Sequence, residues 1–204
     1  MKPLVKICGL TRPEDSRLAV RLGATHVGCV MAPETPRCVS VEQARTVFQA
    51  AGERVRRVLV FRRQEASAIL EMARGVRTTD VQLHEMPEED ALLLEKEGMT
   101  VYRVQRVDSD IKTLPVLTPE PTPKRPVLLD VGGGGSSTTF RWEVLGDEAP
   151  RGVFIAGGIR PDNVAALLLH HPYGVDLSSG VESSPGVKDP ARMTAFFEAV
   201  ESTS

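Results

Sequence analysis

The strongest constraint on this chain is a recurrence. Eight short, Val-rich apolar segments are separated by stretches whose apolar residues fall at helical spacing. The segments are Leu4 to Ile7, His26 to Met31, Val58 to Phe61, Val81 to Leu83, Val101 to Val104, Val127 to Leu129, Val153 to Ala156 and Val175 to Leu177. Continuous rather than alternating apolarity suits strands of a parallel sheet, which are buried on both faces. Eight segments in 204 residues leave about 25 residues per unit, close to the lower size bound of a (β/α)8 barrel. Periodicity alone leaves an open doubly wound sheet of fewer strands as the alternative. Length predicts one domain over residues 1–204.

Helix starts are legible. Thr11-Arg12-Pro13-Glu14 reads as a capping box, as does Ser40-Val41-Glu42-Gln43, with Ala44, Val47, Phe48 and Ala51 following on one face. Asp189 before Pro190 predicts a third start, with Met193, Phe196, Phe197 and Val200 as its core stripe. One unit breaks the pattern. Pro115, Pro119, Pro121, Pro123 and Pro126 lie between the fifth and sixth segments, a spacing no helix interior tolerates. The fifth helix should therefore be missing or irregular. Gly132 to Thr139 reads as a mobile loop. It holds neither a dinucleotide fingerprint nor a Gly-Lys-Ser/Thr phosphate loop.

Composition narrows the function classes. Lys+Arg of 25 against Asp+Glu of 27 gives a net charge of -2, so no nucleic-acid partner is expected. No apolar run reaches the roughly 18 residues of a membrane span, and Lys6 interrupts the short apolar N-terminus. Cys8, Cys29 and Cys38 are odd in number and lack CxxC spacing, so neither a disulfide framework nor a metal site is expected. A reducing, cytoplasmic setting follows as the default. A monomer is expected, because no large apolar feature is left over once the barrel is built.

Reactive residues stand just past the carboxyl ends of several segments: Cys8 after Ile7, His84 after Leu83, Asp130 after Leu129, and Gly157-Gly158 after Ala156. In a parallel α/β architecture these ends open on the ligand-binding face. Each residue alone has a structural reading: a buried thiol, a core histidine, a loop cap, a tight turn. Together at equivalent positions they predict a site. Gly157-Gly158 and Asp176-Leu177-Ser178-Ser179-Gly180 follow the seventh and eighth segments, where glycines and free amides suit a phosphate. Arg37, in a loop stiffened by Pro33 and Pro36, has the two-pronged geometry that grips a carboxylate.

These residues carry a resemblance. Val5-Lys6-Ile7-Cys8-Gly9-Leu10-Thr11 resembles the K-I-C-G-[IL]-T signature of the phosphoribosylanthranilate isomerase family of tryptophan biosynthesis. Pro36-Arg37-Cys38-Val39-Ser40, Val81-Gln82-Leu83-His84, Leu128-Leu129-Asp130, and Ala156-Gly157-Gly158-Ile159 with Pro161-Asp162-Asn163-Val164 are similar to the same family, in the same order. So is Gly174-Val175-Asp176-Leu177-Ser178-Ser179-Gly180-Val181-Glu182, continuing to Pro185-Gly186-Val187-Lys188-Asp189. The likeness runs from residue 5 to about 190.

The resemblance implies a (β/α)8 TIM barrel, often without its fifth helix, and an Amadori rearrangement of a sugar phosphate. It makes Cys8 the general base and Asp130 the general acid. It gives Arg37 the anthranilate carboxylate, and Gly157, Gly158, Ser179 and Gly180 the phosphate. His84 joins the substrate-binding set, and Asp176 contacts the ligand or orders the eighth loop. No metal and no cofactor are implied. Three departures stand out: no aromatic residue after Gly28, Glu85 where a glycine commonly follows the histidine, and no G-[TS]-G-K run after Asp130. Two rivals are weighed: a barrel acting on another sugar phosphate, which Cys8 in place of a paired aspartate disfavours, and a phosphate-ligand sensor without turnover.

Overall fold

The computed structural model describes residues 2–132 and 138–203. Eight parallel strands close into a barrel in sequence order: β1 (Leu4–Ile7), β2 (His26–Val30), β3 (Arg56–Arg62), β4 (Asp80–His84), β5 (Thr100–Val107), β6 (Val127–Val131), β7 (Val153–Ala156) and β8 (Gly174–Leu177). Closure comes from β8 pairing with β1 in register from Leu4↔Gly174 to Ile7↔Leu177. This settles the choice between barrel and open sheet.

Strand alternation splits the apolar residues into two cores. One set, including Val58, Tyr102, Leu128, Phe154 and Ala156, fills the barrel interior. The other set, including Val5, Ile7, Val27, Cys29, Leu59, Phe61 and Val81, faces the helices. Gly174 is required by this packing. A methyl group there would lie 2.5 Å from the Phe154 ring, so the glycine makes room for the aromatic plug.

The helices are α1 (Pro13–Leu22), α2 (Val41–Ala51), α3 (Ala66–Val76), α4 (Glu88–Lys96), α5 (Val164–Leu168) and α6 (Pro190–Thr203). Between β5 and β6 the proline-rich segment forms no helix, as its spacing predicts. Between β6 and β7 a short 3-10 turn, Trp142–Leu145, is the helical element among the described residues. Most of the expected mobile loop at Gly132 to Thr139 falls on residues 133–137, outside the described residues.

Two of the three expected caps form. Ser40 and Gln43 make the reciprocal pair, with Gln43 N donating to Ser40 Oγ at 3.2 Å and Ser40 N donating to Gln43 Oε1 at 3.0 Å. Asp189 Oδ1 accepts from Ala191 N and Arg192 N. Thr11 does not cap. The helix starts one residue later than the box requires, with Arg12 at the cap position, and Pro13 occupies its first turn. The Thr11 hydroxyl instead donates across the barrel mouth to Gly186 O.

Candidate active site

At the carboxyl ends of the strands lies a cavity of about 320 Å³. Cys8, Arg37, His84, Asp130, Gly157, Gly158, Asp176, Ser179 and Gly180 all line it, so every residue expected from the sequence reaches one space. Cys8 and Asp130 come from the ends of β1 and β6, three strands apart round the closed barrel by way of β8 and β7.

Cys8 and Asp130 are both nearly buried. Burial pushes the Cys8 thiol above its ordinary value, and the Lys6 ammonium pulls against that rise. Gly157 packs against the acid: a methyl group there would lie 3.3 Å from Asp130 Oδ1, and the glycine's φ of +90° favours no side chain in any case. His84 Nε2 takes a hydrogen bond at 2.8 Å from the Gln82 amide nitrogen. Burial, with Lys6 and Arg62 adding positive charge nearby, pushes the His84 pKa down to about 4. Its ring is therefore neutral at physiological pH and accepts from Gln82.

The glycine loops meet backbone to backbone. A methyl group on Gly180 would sit 1.9 Å from Ile159 O, so the loop after β8 lies directly on the loop after β7. Asn163 fastens the latter, donating from Nδ2 to Gly158 O at 2.9 Å and accepting from Arg160 N at 2.8 Å. The two loops form one rigid cradle edge on the cavity.

Four polar residues that shape the site had no assigned role in the sequence reading. Lys6 is completely buried and donates to Asp176 Oδ1 at 2.9 Å. Gln82 is buried in the cavity wall, with Oε1 making no hydrogen bond within the described protein. Glu182 binds both Arg37 and Lys188. The signal was period two: Lys6 precedes Cys8 by two residues and Gln82 precedes His84 by two, so each shares the inner face with a recognised residue. Nothing local announced Glu182, which depends on the fold bringing the eighth loop to the second.

A family profile described as N-(5'phosphoribosyl)anthranilate (PRA) isomerase matches residues 5–199. The chain belongs to this family. The N-(5'-phosphoribosyl)anthranilate isomerase of Stenotrophomonas maltophilia is 36% identical over 205 residues, covering 96% of this chain and 92% of that protein. The tryptophan biosynthesis protein TrpCF of Yersinia pestis is 34% identical over 196 residues, and there the chain spans 40% of the longer protein. Among solved structures, phosphoribosyl anthranilate isomerase from Thermus thermophilus superposes with a TM-score of 0.87 at 35% identity, covering 98% of this chain and 100% of that one. A further isomerase structure, in complex with reduced 1-(o-carboxyphenylamino)-1-deoxyribulose 5-phosphate, superposes with a TM-score of 0.81 at 31% identity. It covers 98% of this chain and 99% of that one.

Family membership puts one departure in context. Glu85, standing where the family commonly has glycine, takes the left-handed backbone at φ +53°. That conformation costs a side-chain-bearing residue about 1–2 kcal/mol. The carboxylate is held by Arg62 at 2.5 Å and by Arg63 at the rim.

Proposed function

We infer that the chain isomerises N-(5-phosphoribosyl)anthranilate to 1-(2-carboxyphenylamino)-1-deoxyribulose 5-phosphate, a step of tryptophan biosynthesis. The observation that carries this reading is the pairing of a buried thiol and a buried carboxyl across one cavity, with a glycine cradle on its edge. Asp130 gives a proton to the furanose ring oxygen as the C1–O bond breaks, and the nitrogen lone pair makes the iminium. Cys8 as thiolate then takes the C2 proton, the C2–H electron pair forms the C1=C2 bond, and the C1=N pair returns to nitrogen. The resulting enolamine gains a proton at C1 and gives up its C2 hydroxyl proton to become the ketone. The substrate's own iminium serves as the electron sink, so the scheme calls on no cofactor.

Gly157, Gly158, Ser179 and Gly180 hold the phosphate through their backbone, and Arg37 grips the anthranilate carboxylate. His84 presents a neutral ring to the substrate. We read residues 1–204 as one barrel domain acting as a cytoplasmic monomer. Support comes from three free cysteines and from the scatter of the exposed large apolar residues Leu92, Leu93, Val116 and Leu169 over three segments.

The test is the decay of anthranilate-adduct fluorescence with freshly made substrate. Wild type should accelerate decay beyond spontaneous hydrolysis. Cys8→Ala and Asp130→Asn should each lose at least about a hundredfold, the usual scale of general acid–base catalysis. Binding of the reduced product analogue without turnover by wild type would favour the sensor reading instead.

A further inference from the structure

Cys8 must act as a thiolate, yet it sits where burial favours the thiol. Something nearby has to offset that. The charged and titratable groups around it come from several elements. Lys6 lies on its own strand, Asp176 on β8, Lys188 on the short strand Val187–Lys188, and Arg37 in the loop after β2. Cys29 of β2 lies near it, and Asp130 and His84 line the same cavity.

Two of the three cations are committed elsewhere. Arg37 and Lys188 both direct their nitrogens at Glu182, at 2.7 and 2.9 Å. Lys6 is different. It is two residues before Cys8, so strand alternation puts both side chains on the inner face. Its partner in register on β8 is Asp176, whose Oδ1 accepts a hydrogen bond from the ammonium at 2.9 Å. On the other side stands Gly28. A methyl group there would lie 3.1 Å from Lys6 Nζ and 3.2 Å from Cys8 Sγ, so the ammonium and the sulfur border the same point in space. Any larger residue at 28 would wedge them apart.

We propose that Lys6 is a positioning residue that biases Cys8 towards the thiolate against the pull of burial, with Asp176 anchoring the ammonium and tempering its effect. Burial would strip Lys6 of its proton, but Asp176 and Cys8 outweigh it and keep the amine charged. The signs of the two neighbours are opposite. The ammonium favours the thiolate and the Asp176 carboxylate disfavours it. This inference rests on Cys8 being the base, and its test is built to fail separately from that assignment.

The experiment follows peptide-resolved alkylation of Cys8 by iodoacetamide across pH in the intact protein. Mass spectrometry keeps Cys29 and Cys38 apart from it. In Lys6→Met the midpoint should rise by about one pH unit or more, the scale of an opposite charge at close range. Lys6→Arg, which keeps the charge, should stay near wild type, and adding Asp176→Asn to Lys6→Met should lower the midpoint again, because the carboxylate there acts without the ammonium. The limb of the kcat/KM profile that reports the base should move with the midpoint. If Lys6→Met unfolds, judged by far-UV circular dichroism, Lys6→Gln keeps a hydrogen-bond donor to Asp176 without the charge, and its midpoint should rise instead. A midpoint that stays fixed or falls when the charge at position 6 is removed overturns the proposal, since the ammonium would then not favour the thiolate. Midpoints that shift as expected while the rate profile does not move would uphold Lys6's hold on the thiol and sink Cys8 as the base.

Discussion

Arg37 and Glu182 lie 145 residues apart and meet side-on, with Arg37 Nε 2.9 Å from Glu182 Oε1 and Nη2 2.7 Å from Oε2. Glu182 Oε1 also takes Lys188 Nζ at 2.9 Å and Gly186 N at 3.3 Å. One carboxylate thus fixes the arginine expected to grip the substrate and closes the eighth loop onto the second. The guanidinium is aimed before any ligand arrives, which removes an ordering penalty from binding.

Glu182→Gln should therefore weaken both fold and ligand. Removing one partner of a buried pair costs about 3–5 kcal/mol, read here by urea denaturation, and affinity for the reduced product analogue should fall with it. The pH dependence has a definite sign. Burial works to raise the Glu182 pKa, but Arg37 and Lys188 outweigh it and hold it below the usual value. Its contribution is present above the unfolded value near 4.5 and is lost as pH falls through the folded value. The variant should show a shallower acid limb; an unchanged limb would rule the pairing out as a source of stability.

Two histidines act in a higher window. Burial, aided by Lys6, pushes His26 down to about 3 and His84 down to about 4. Unfolded histidine takes up its proton near 6.5. As pH falls from about 6.5 towards 4, the unfolded chain binds protons that the native chain refuses, so stability declines over that range. It is complete above 6.5. Unfolding free energies measured at pH 7.5 and pH 5 should differ in this direction, and His84→Gln should remove a large part of the difference. A histidine NMR titration placing His84 near 6.5 would contradict this.

The two threonine and serine devices separate cleanly. Ser40→Ala removes a working cap and should cost about 1 kcal/mol, lowering Tm by roughly 2–4 °C for a chain of this size with unchanged kcat/KM. Thr11→Ala touches no helix start. Its loss is one hydrogen bond to Gly186 O beside the eighth loop, so any effect should fall on analogue binding rather than on α1. The outcome to look for is that Ser40→Ala moves the calorimetric Tm and not the analogue titration, and Thr11→Ala the titration and not the Tm.

Thr11 also shows why some of the molecule was legible in the sequence and some was not. The strands follow from continuous apolar runs, and Cys8, His84, Asp130 and Gly157-Gly158 follow from standing just past those runs. The missing fifth helix follows from proline spacing. Such signals are local. The Thr11 cap failed because its hydroxyl found Gly186, 175 residues away, a partner no local pattern encodes. Glu182 was invisible for the same reason. Lys6 was quoted within a motif, but its burial against Asp176 depends on β8 closing onto β1.

Gly180 offers the sharpest test of the cradle. Its backbone lies so close to Ile159 O that a methyl group would sit 1.9 Å away, far inside van der Waals contact and against backbone rather than a flexible side chain. Gly180→Ala must therefore separate the loops after β7 and β8, and these carry Gly157, Gly158 and Ser179. Cys8 follows β1, away from both loops, so the thiol stays in place. The reduced analogue should lose at least about tenfold in affinity, on the scale of about 1.4 kcal/mol. Inhibition by inorganic phosphate should weaken in parallel, while the Cys8 alkylation midpoint stays where it was. An analogue affinity left intact would mean that the phosphate is held away from this seam.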